Sequence, residues 1–228
     1  MGREAYSEPG DGALGRVTGV IYWYLIVTLL QALTASPGLV ALMLLDRSSA
    51  NAPLAMLCIL PIGPALSAAL FALRDRDRAE DLSPARSYWR GYRNNVVDVL
   101  RLWAPAMLVL AIIALGLANL DAAGMPAGYG AVLAVIGVLV VLWSLHALVI
   151  ASLFSFRARD TARLAAHYLG RLPLVTLGVA SLLVLAGAVV VLTFDVVLAL
   201  LGGLWAGLLL NNARRLVQDV QDQFVAPS

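Results

Sequence analysis

Along most of this chain hydrophobic positions do not alternate with polar ones. They run together in blocks separated by short arginine-bearing links. Six such blocks can be marked, at 17–36, 52–73, 102–120, 131–154, 174–193 and 196–210, the last of them short. Roughly 20 mainly apolar residues are what a helix needs to cross the hydrocarbon of a bilayer. The pattern therefore predicts an all-α polytopic membrane protein of about six transmembrane helices. After the first block, Ser36-Pro37-Gly38 is followed by another apolar run to Leu45. An unbroken helix from Val17 to Leu45 would be about 43 Å long, more than the hydrocarbon needs, so a kink or an interfacial outer segment is expected there.

Two links have a helical period of their own. In ARSYWRGYRNNVVDVLRLW, residues 85–103, Trp89, Tyr92, Val96, Leu100 and Trp103 recur at steps of three or four, with Arg86, Arg90, Arg93 and Arg101 on a neighbouring face. Ser83-Pro84 supplies a helix start. Such a helix is expected to lie along the inner interface, rings among the headgroups and guanidinium groups toward phosphate, before bending at Pro105 into the third span. The second link, RARDTARLAAHYLGRLP, repeats the device. Arg159, Arg163, His167 and Arg171 form one stripe beside Leu164, Tyr168 and Leu172. Between them, RDRDRAEDL alternates in sign and reads as a solvated turn.

Composition strengthens the membrane reading. With 61% hydrophobic and 13% charged residues in 228, the chain holds more apolar surface than one soluble domain could bury. All 16 basic residues are arginines, and the net charge is only +2. Starting the alternation with a cytoplasmic N-terminus places 15 of those 16 arginines inside and leaves only Arg47 outside. The positive-inside rule then predicts an N-in, C-in topology. The domain organisation follows as a cytoplasmic N-terminal tail at 1–16, one six-helix transmembrane domain at 17–211, and a cytoplasmic C-terminal tail at 212–228. Nothing before Val17 has the layout of a cleavable signal, so an uncleaved first helix is expected. Arg86, Trp89, Arg90, Arg93, Arg159, Arg163 and Arg171 are the candidate contacts to anionic headgroups or to an acidic or phosphorylated partner. No nucleic-acid-binding surface is expected.

Candidate chemistry inside the hydrocarbon is sparse. In LPIGPALSAALFAL, Pro61 and Pro64 bracket Gly63 near the middle of the second block, so the carbonyls of Leu57 and Leu60 lose their usual helical partners. An unpaired carbonyl in lipid is costly, and the kink should face protein or a wet cavity. His146 is the titratable group deepest in the bilayer, either an interhelical donor or a ligand contact. Pro61, Gly63, Pro64 and His146 are thus the candidate substrate site, against the alternative of a purely structural bend. No carboxylate lies beside His146 in the pattern to complete a proton relay. Cys58 is the single cysteine, so an intramolecular disulfide is impossible and no metal cluster is expected. No phosphate loop, dinucleotide fingerprint, metalloprotease motif or serine triad is present, so neither a cofactor nor an enzymatic activity is expected. Gly203 and Gly207 form a GxxxG that permits close packing, within the monomer or in a homo-oligomer.

The segments YWYLIVTLL, LPIGPALSAALFAL and SYWRGYRNNVVDVLRLW together resemble the YesL-like integral membrane proteins, a bacterial domain of unknown function. Similarity continues more weakly through RLAAHYLGRLPLVTL. The resemblance implies a multi-pass protein of the bacterial cytoplasmic membrane that accompanies a carbohydrate importer of the ATP-binding-cassette type, in its assembly, stability or regulation. The alternative is a small carrier or channel with its pathway at the proline-kinked second helix. The stretch SPGLVALMLLDRSSANAPLAM departs from the shorter family pattern.

Overall fold

The computed structural model describes residues 13–46, 48–76, 83–192 and 200–224, and within them the only regular structure is helical. Helix α1 spans Ala13–Leu44 and continues through Pro37. At 32 residues it is about 48 Å long and must project beyond, or tilt across, a hydrocarbon layer of about 30 Å. A short turn of 3-10 helix at Ser49–Asn51 leads into α2, Ala52–Cys58, and α3, Ile62–Asp75. Helix α4 covers Pro84–Ala118, α5 Ala127–Leu153, α6 Ala158–Arg171 and α7 Pro173–Leu192. Helices α8, Gly202–Asn212, and α9, Arg214–Phe224, close the described chain.

Length and apolar character qualify four segments as membrane spans: 17–44, 52–75, 84–118 and 128–153. A fifth crossing is reached if α6 and α7, bent by 97° at Leu172, count as one broken span. Of the sixth expected block, 196–199 lies outside the described residues and α8 supplies 11 residues of helix. The fold is therefore an all-helical bundle with four to five candidate spans.

The interior is built by α3, which is buried from Gly63 to Leu70 and again at Ala72 and Leu73. Its small residues Ala65, Ala68, Ala69 and Ala72 let neighbouring helices close on it. On one side Trp23 of α1 donates its indole N–H to the Ala72 carbonyl at 3.2 Å. On another, Tyr88 of α4 donates to the Ala65 carbonyl at 3.2 Å and meets the Thr34 hydroxyl of α1 at 2.6 Å. On a third, Ser152 of α5 donates to Ser67 at 2.8 Å. These polar side chains each link two helices, a use of hydroxyl and indole donors that suits an interior without water.

The stretch 85–103, read as an interfacial helix leading through Pro105 into the third span, is continuous with that span. It is the first half of one 35-residue helix, α4, which passes Pro105 without ending. The face it buries is Tyr88, Gly91, Val99, Leu102 and Trp103, whereas Trp89 points outward. Gly91 decides this rotation: a Cβ there would lie 2.7 Å from the Phe71 side chain, so only glycine lets α4 meet α3 on that side. The expected stripe at Leu164, Tyr168 and Leu172 of α6 also shifts, to a buried line of Thr161, Ala165 and Tyr168. Trp143 of α5 fastens α6 by donating to the Ala162 carbonyl at 3.1 Å.

The C-terminal segment is not a free tail. Helix α9 buries Leu216 and Val220, and its Asp219 lies 3.8 Å from Arg171 of α6. The pair Gly203 and Gly207 packs within the chain, against α1: a Cβ on Gly203 would collide with the Thr28 hydroxyl, and one on Gly207 would lie 2.5 Å from the Tyr24 hydroxyl. The Gly203 amide donates to that Thr28 oxygen at 3.1 Å.

Candidate functional site

The proline-glycine break is resolved locally. Helix α2 ends at Cys58, residues 59–61 form a turn, and α3 begins at Ile62. The Leu57 carbonyl, which Pro61 cannot serve, accepts instead from the Leu60 amide at 3.0 Å, and the Ile59 carbonyl accepts from Ile62 at 3.0 Å. A tighter turn has thus taken over the bonding that a helix would have supplied. Two further features close the break. Gly38 of α1 sits so near the Cys58 carbonyl and the Pro61 ring that a Cβ would collide with the former and lie 3.1 Å from the latter. Gly63 faces the indole of Trp103, where a Cβ would lie 2.6 Å from Cδ1. The kink faces protein, as the cost of exposed carbonyls demands.

His146 is 2% exposed and lies on another side of the bundle. Its Nδ1 is 2.9 Å from the Leu142 carbonyl, which can only accept, so Nδ1 carries the proton. Its Nε2 lies 3.5 Å from the Thr176 hydroxyl of α7, whose single proton goes to the Leu169 carbonyl at 2.9 Å. Pro61 meets Gly38 of α1 and Gly63 meets Trp103 of α4, whereas the contacts of His146 are within α5 and with α7. None of the three cavities described below is lined by Pro61, Gly63, Pro64 or His146. Among the described residues, no group of three or more His, Cys, Asp or Glu side chains could hold a metal ion.

The basic positions fare differently. Arg86, Trp89, Arg90 and Arg93, with Asn94, line one open groove of about 520 Å³ on α4. Arg90 pairs with Asp75 and lies 5.6 Å from the centre of the Phe71 ring, which holds this face against α3. Arg159, Arg163, His167 and Arg171 are all exposed along α6. Arg171 contributes to the α9 contact just described. The Tyr168 hydroxyl beside that contact is raised from 10.0 to about 12, first by burial and then by the Asp219 carboxylate, with Arg171 opposing.

Two further cavities were not legible from the sequence, because each is made by residues distant along the chain. One, of about 430 Å³, opens where α1, α3, α8 and α9 meet and includes Tyr24, Arg74, Arg76, Asn211, Arg214 and Gln218. The other, of about 570 Å³, is an apolar groove between α4, α5 and α7, with the small residues Ala114, Ala134, Gly137 and Ala180 on its walls.

Long apolar helices tied together by buried polar side chains define a multi-pass membrane protein. Residues 20–117 match the family model described as "Protein of unknown function, DUF624". The YesL-like resemblance is borne out there, across α1 to α4. No curated protein and no solved structure matched the chain.

Proposed function

We propose that this protein is a non-enzymatic accessory subunit of a bacterial cytoplasmic membrane, with six spans, both termini inside, and a carbohydrate importer of the ATP-binding-cassette type as its partner. The importer is suggested by the YesL-like resemblance. The observation that carries the accessory role is the groove between α4, α5 and α7. It is apolar, open at the surface, and walled at Ala114, Ala134, Gly137 and Ala180 by side chains short enough for another helix to approach closely. A partner's transmembrane helix is an occupant of matching polarity. Support for the orientation comes from the arginines of α3, α4, α6 and α9, which share one end of the bundle through the Arg90–Asp75 and Arg171–Asp219 pairs and the cleft holding Arg74, Arg76 and Arg214.

The carrier alternative would need a pathway at the kink. Gly63 there abuts Trp103, and His146 bonds within α5 and to α7.

The test is co-purification of a tagged copy from native membranes in mild detergent. Importer subunits are expected in the complex, and Gly137→Leu, which fills the groove without entering the bundle core, should release them. Intact, folded protein that brings down no importer subunit would refute the partner. Substrate flux into liposomes holding the isolated protein would favour the carrier instead. A cysteine at Ala85, in a Cys58→Ala background, tests the orientation: labelling by an impermeant maleimide in intact cells would overturn it.

A further inference from the structure

Helix α6 meets α7 at 97°, and the two helices suit different surroundings. The 20 residues of α7 include no charged side chain and cover about 30 Å, the depth of the hydrocarbon. Its Leu174, Leu177, Val184 and Leu185 are exposed, as lipid-facing residues are. Helix α6 is the opposite case. Arg159, Arg163, His167 and Arg171 occupy one exposed face, a density of charge too costly for hydrocarbon. With α7 along the membrane normal, the bend of 97° lays α6 flat in the plane of the surface. Thr161, Ala165 and Tyr168 then face the bundle, and the arginines face away from it.

Two ties fix this posture. Trp143 of α5 donates to the Ala162 carbonyl at 3.1 Å, and at the corner the Thr176 hydroxyl of α7 donates to the Leu169 carbonyl at 2.9 Å. Pro173 opens α7 at the position where a helix needs no amide donor. The cations are also available. The three arginines of α6 are set against one carboxylate of its own, Asp160. Arg171 shares Asp219 of α9, whereas neither Arg159 nor Arg163 has a carboxylate within ion-pair distance among the described residues. Beyond Arg171 the chain runs directly into the exposed Leu174 and Leu177. A row of guanidinium groups that lies flat and ends against lipid-facing leucines fits a layer with phosphates at one level and hydrocarbon at the next. An acidic cytosolic protein would use the arginines and leave the leucines without a role.

We propose that the exposed face of α6 is a docking surface for anionic lipid headgroups, with Arg159 and Arg163 holding the phosphates of phosphatidylglycerol-type lipids along the helix. Held in that layer, α6 fixes the depth at which α5 and α7 sit. The arginines of α4 lack this posture, because their helix is continuous with its span. The inference does not rest on the importer reading, and its test contains no importer.

The test uses the full chain in bilayer nanodiscs, with a fluorophore on Ala166→Cys in a Cys58→Ala background. Ala166 is exposed beside the arginines. Quenching by phosphatidylglycerol and by phosphatidylcholine, each spin-labelled near the top of an acyl chain, reads which lipid gathers beside α6. Each basic residue near an anionic headgroup is worth about a fivefold preference, so the two arginines should favour phosphatidylglycerol by up to about 25-fold. Arg159→Gln with Arg163→Gln should remove most of that preference, and Arg159→Lys with Arg163→Lys should keep it. Arg86→Gln with Arg93→Gln, equal in charge but on α4, should change it less than about twofold. Salt at about 1 M, which shortens the screening length to about 3 Å, should weaken the preference without any further substitution. Equal quenching by the two lipids at low salt would overturn the proposal, as would equal losses from the α4 and α6 pairs. So would a cysteine at Ala166 that is shielded from an impermeant maleimide only when cytosolic protein is added, which would assign the face to an acidic partner.

Discussion

Substituting Gly63 by alanine tests the close approach that shapes the second span. The new Cβ would lie 2.6, 2.7 and 2.8 Å from Cδ1, Cγ and Nε1 of Trp103. Relaxed carbon contacts sit at about 3.5–4.0 Å, so ring and helix must part by about 1 Å. Trp103 is only 7% exposed and has little freedom to swing away. Overpacking of this kind costs about 1–3 kcal/mol, against a helix gain of about 0.5–1 kcal/mol from replacing glycine. The net expectation is destabilisation by up to about 2.5 kcal/mol. Trp103→Phe offers an independent handle, because the buried indole N–H has no hydrogen-bond partner. Removing that orphan donor recovers about 1–3 kcal/mol, which offsets most of the lost packing. Phenylalanine keeps Cγ and Cδ1, so the collision is relieved only by Trp103→Ala, which removes all three ring atoms; Gly63→Ala with Trp103→Ala should be about 1 kcal/mol more stable than the sum of those singles, beyond the roughly 0.3–0.5 kcal/mol expected of independent sites. The assay is equilibrium unfolding in mixed micelles followed by circular dichroism. Gly187→Ala is the reference, since a Cβ there meets nothing within 4 Å. Additivity of the pair, or a Gly63→Ala variant as stable as Gly187→Ala, would refute the reasoning.

Other expectations follow from single contacts. Gly203→Ala should destabilise more than Gly187→Ala in the same unfolding assay, because its Cβ would also lie 3.0 Å from the Tyr24 carbonyl, a backbone atom that cannot rotate aside. A double-mutant cycle on Ser67→Ala and Ser152→Ala should give a coupling of about 0.6 kcal/mol, and zero coupling would remove their bond from the energetics of the α3–α5 contact. The raised Tyr168 hydroxyl makes docking of α9 depend on pH. Its neutral form is favoured in the fold, so this stabilisation is complete below pH 10 and is lost as the pH rises through about 12. Proteolytic protection of 214–224 should fall across that window, and Asp219→Asn should shift the Tyr168 titration downward but not fully to 10.0, since burial remains. Titration of Tyr168 with the exposed tyrosines would contradict the burial of its hydroxyl.

Much of this molecule could be read before any coordinates. Runs of about twenty apolar residues require helices whose backbone bonds are satisfied internally, because hydrocarbon offers no alternative partner. The kink at Pro61 to Pro64 was equally legible, as was its need to face protein or a wet cavity, for proline cannot donate wherever the chain goes. Helix rotation was less so. The period in 85–103 fits several adjacent faces, and only the meeting of Gly91 with Phe71 and of Tyr88 with Ala65 and Thr34 selects the buried one. Trp89 turned outward as a consequence.

What sequence alone determined is the solvent: lipid around the helices and arginines kept at their ends, since burial of unpaired charge costs more than any local preference returns. Tertiary structure decided which residues share a cavity. Pro61 and His146, joined by chemical suspicion, bond to different helices, whereas Tyr24, Arg76 and Arg214, with nothing in common along the chain, line one cleft. Such a meeting depends on helix register and on how closely backbones approach. Contacts between distant glycines and their neighbours set both, and no local pattern records them.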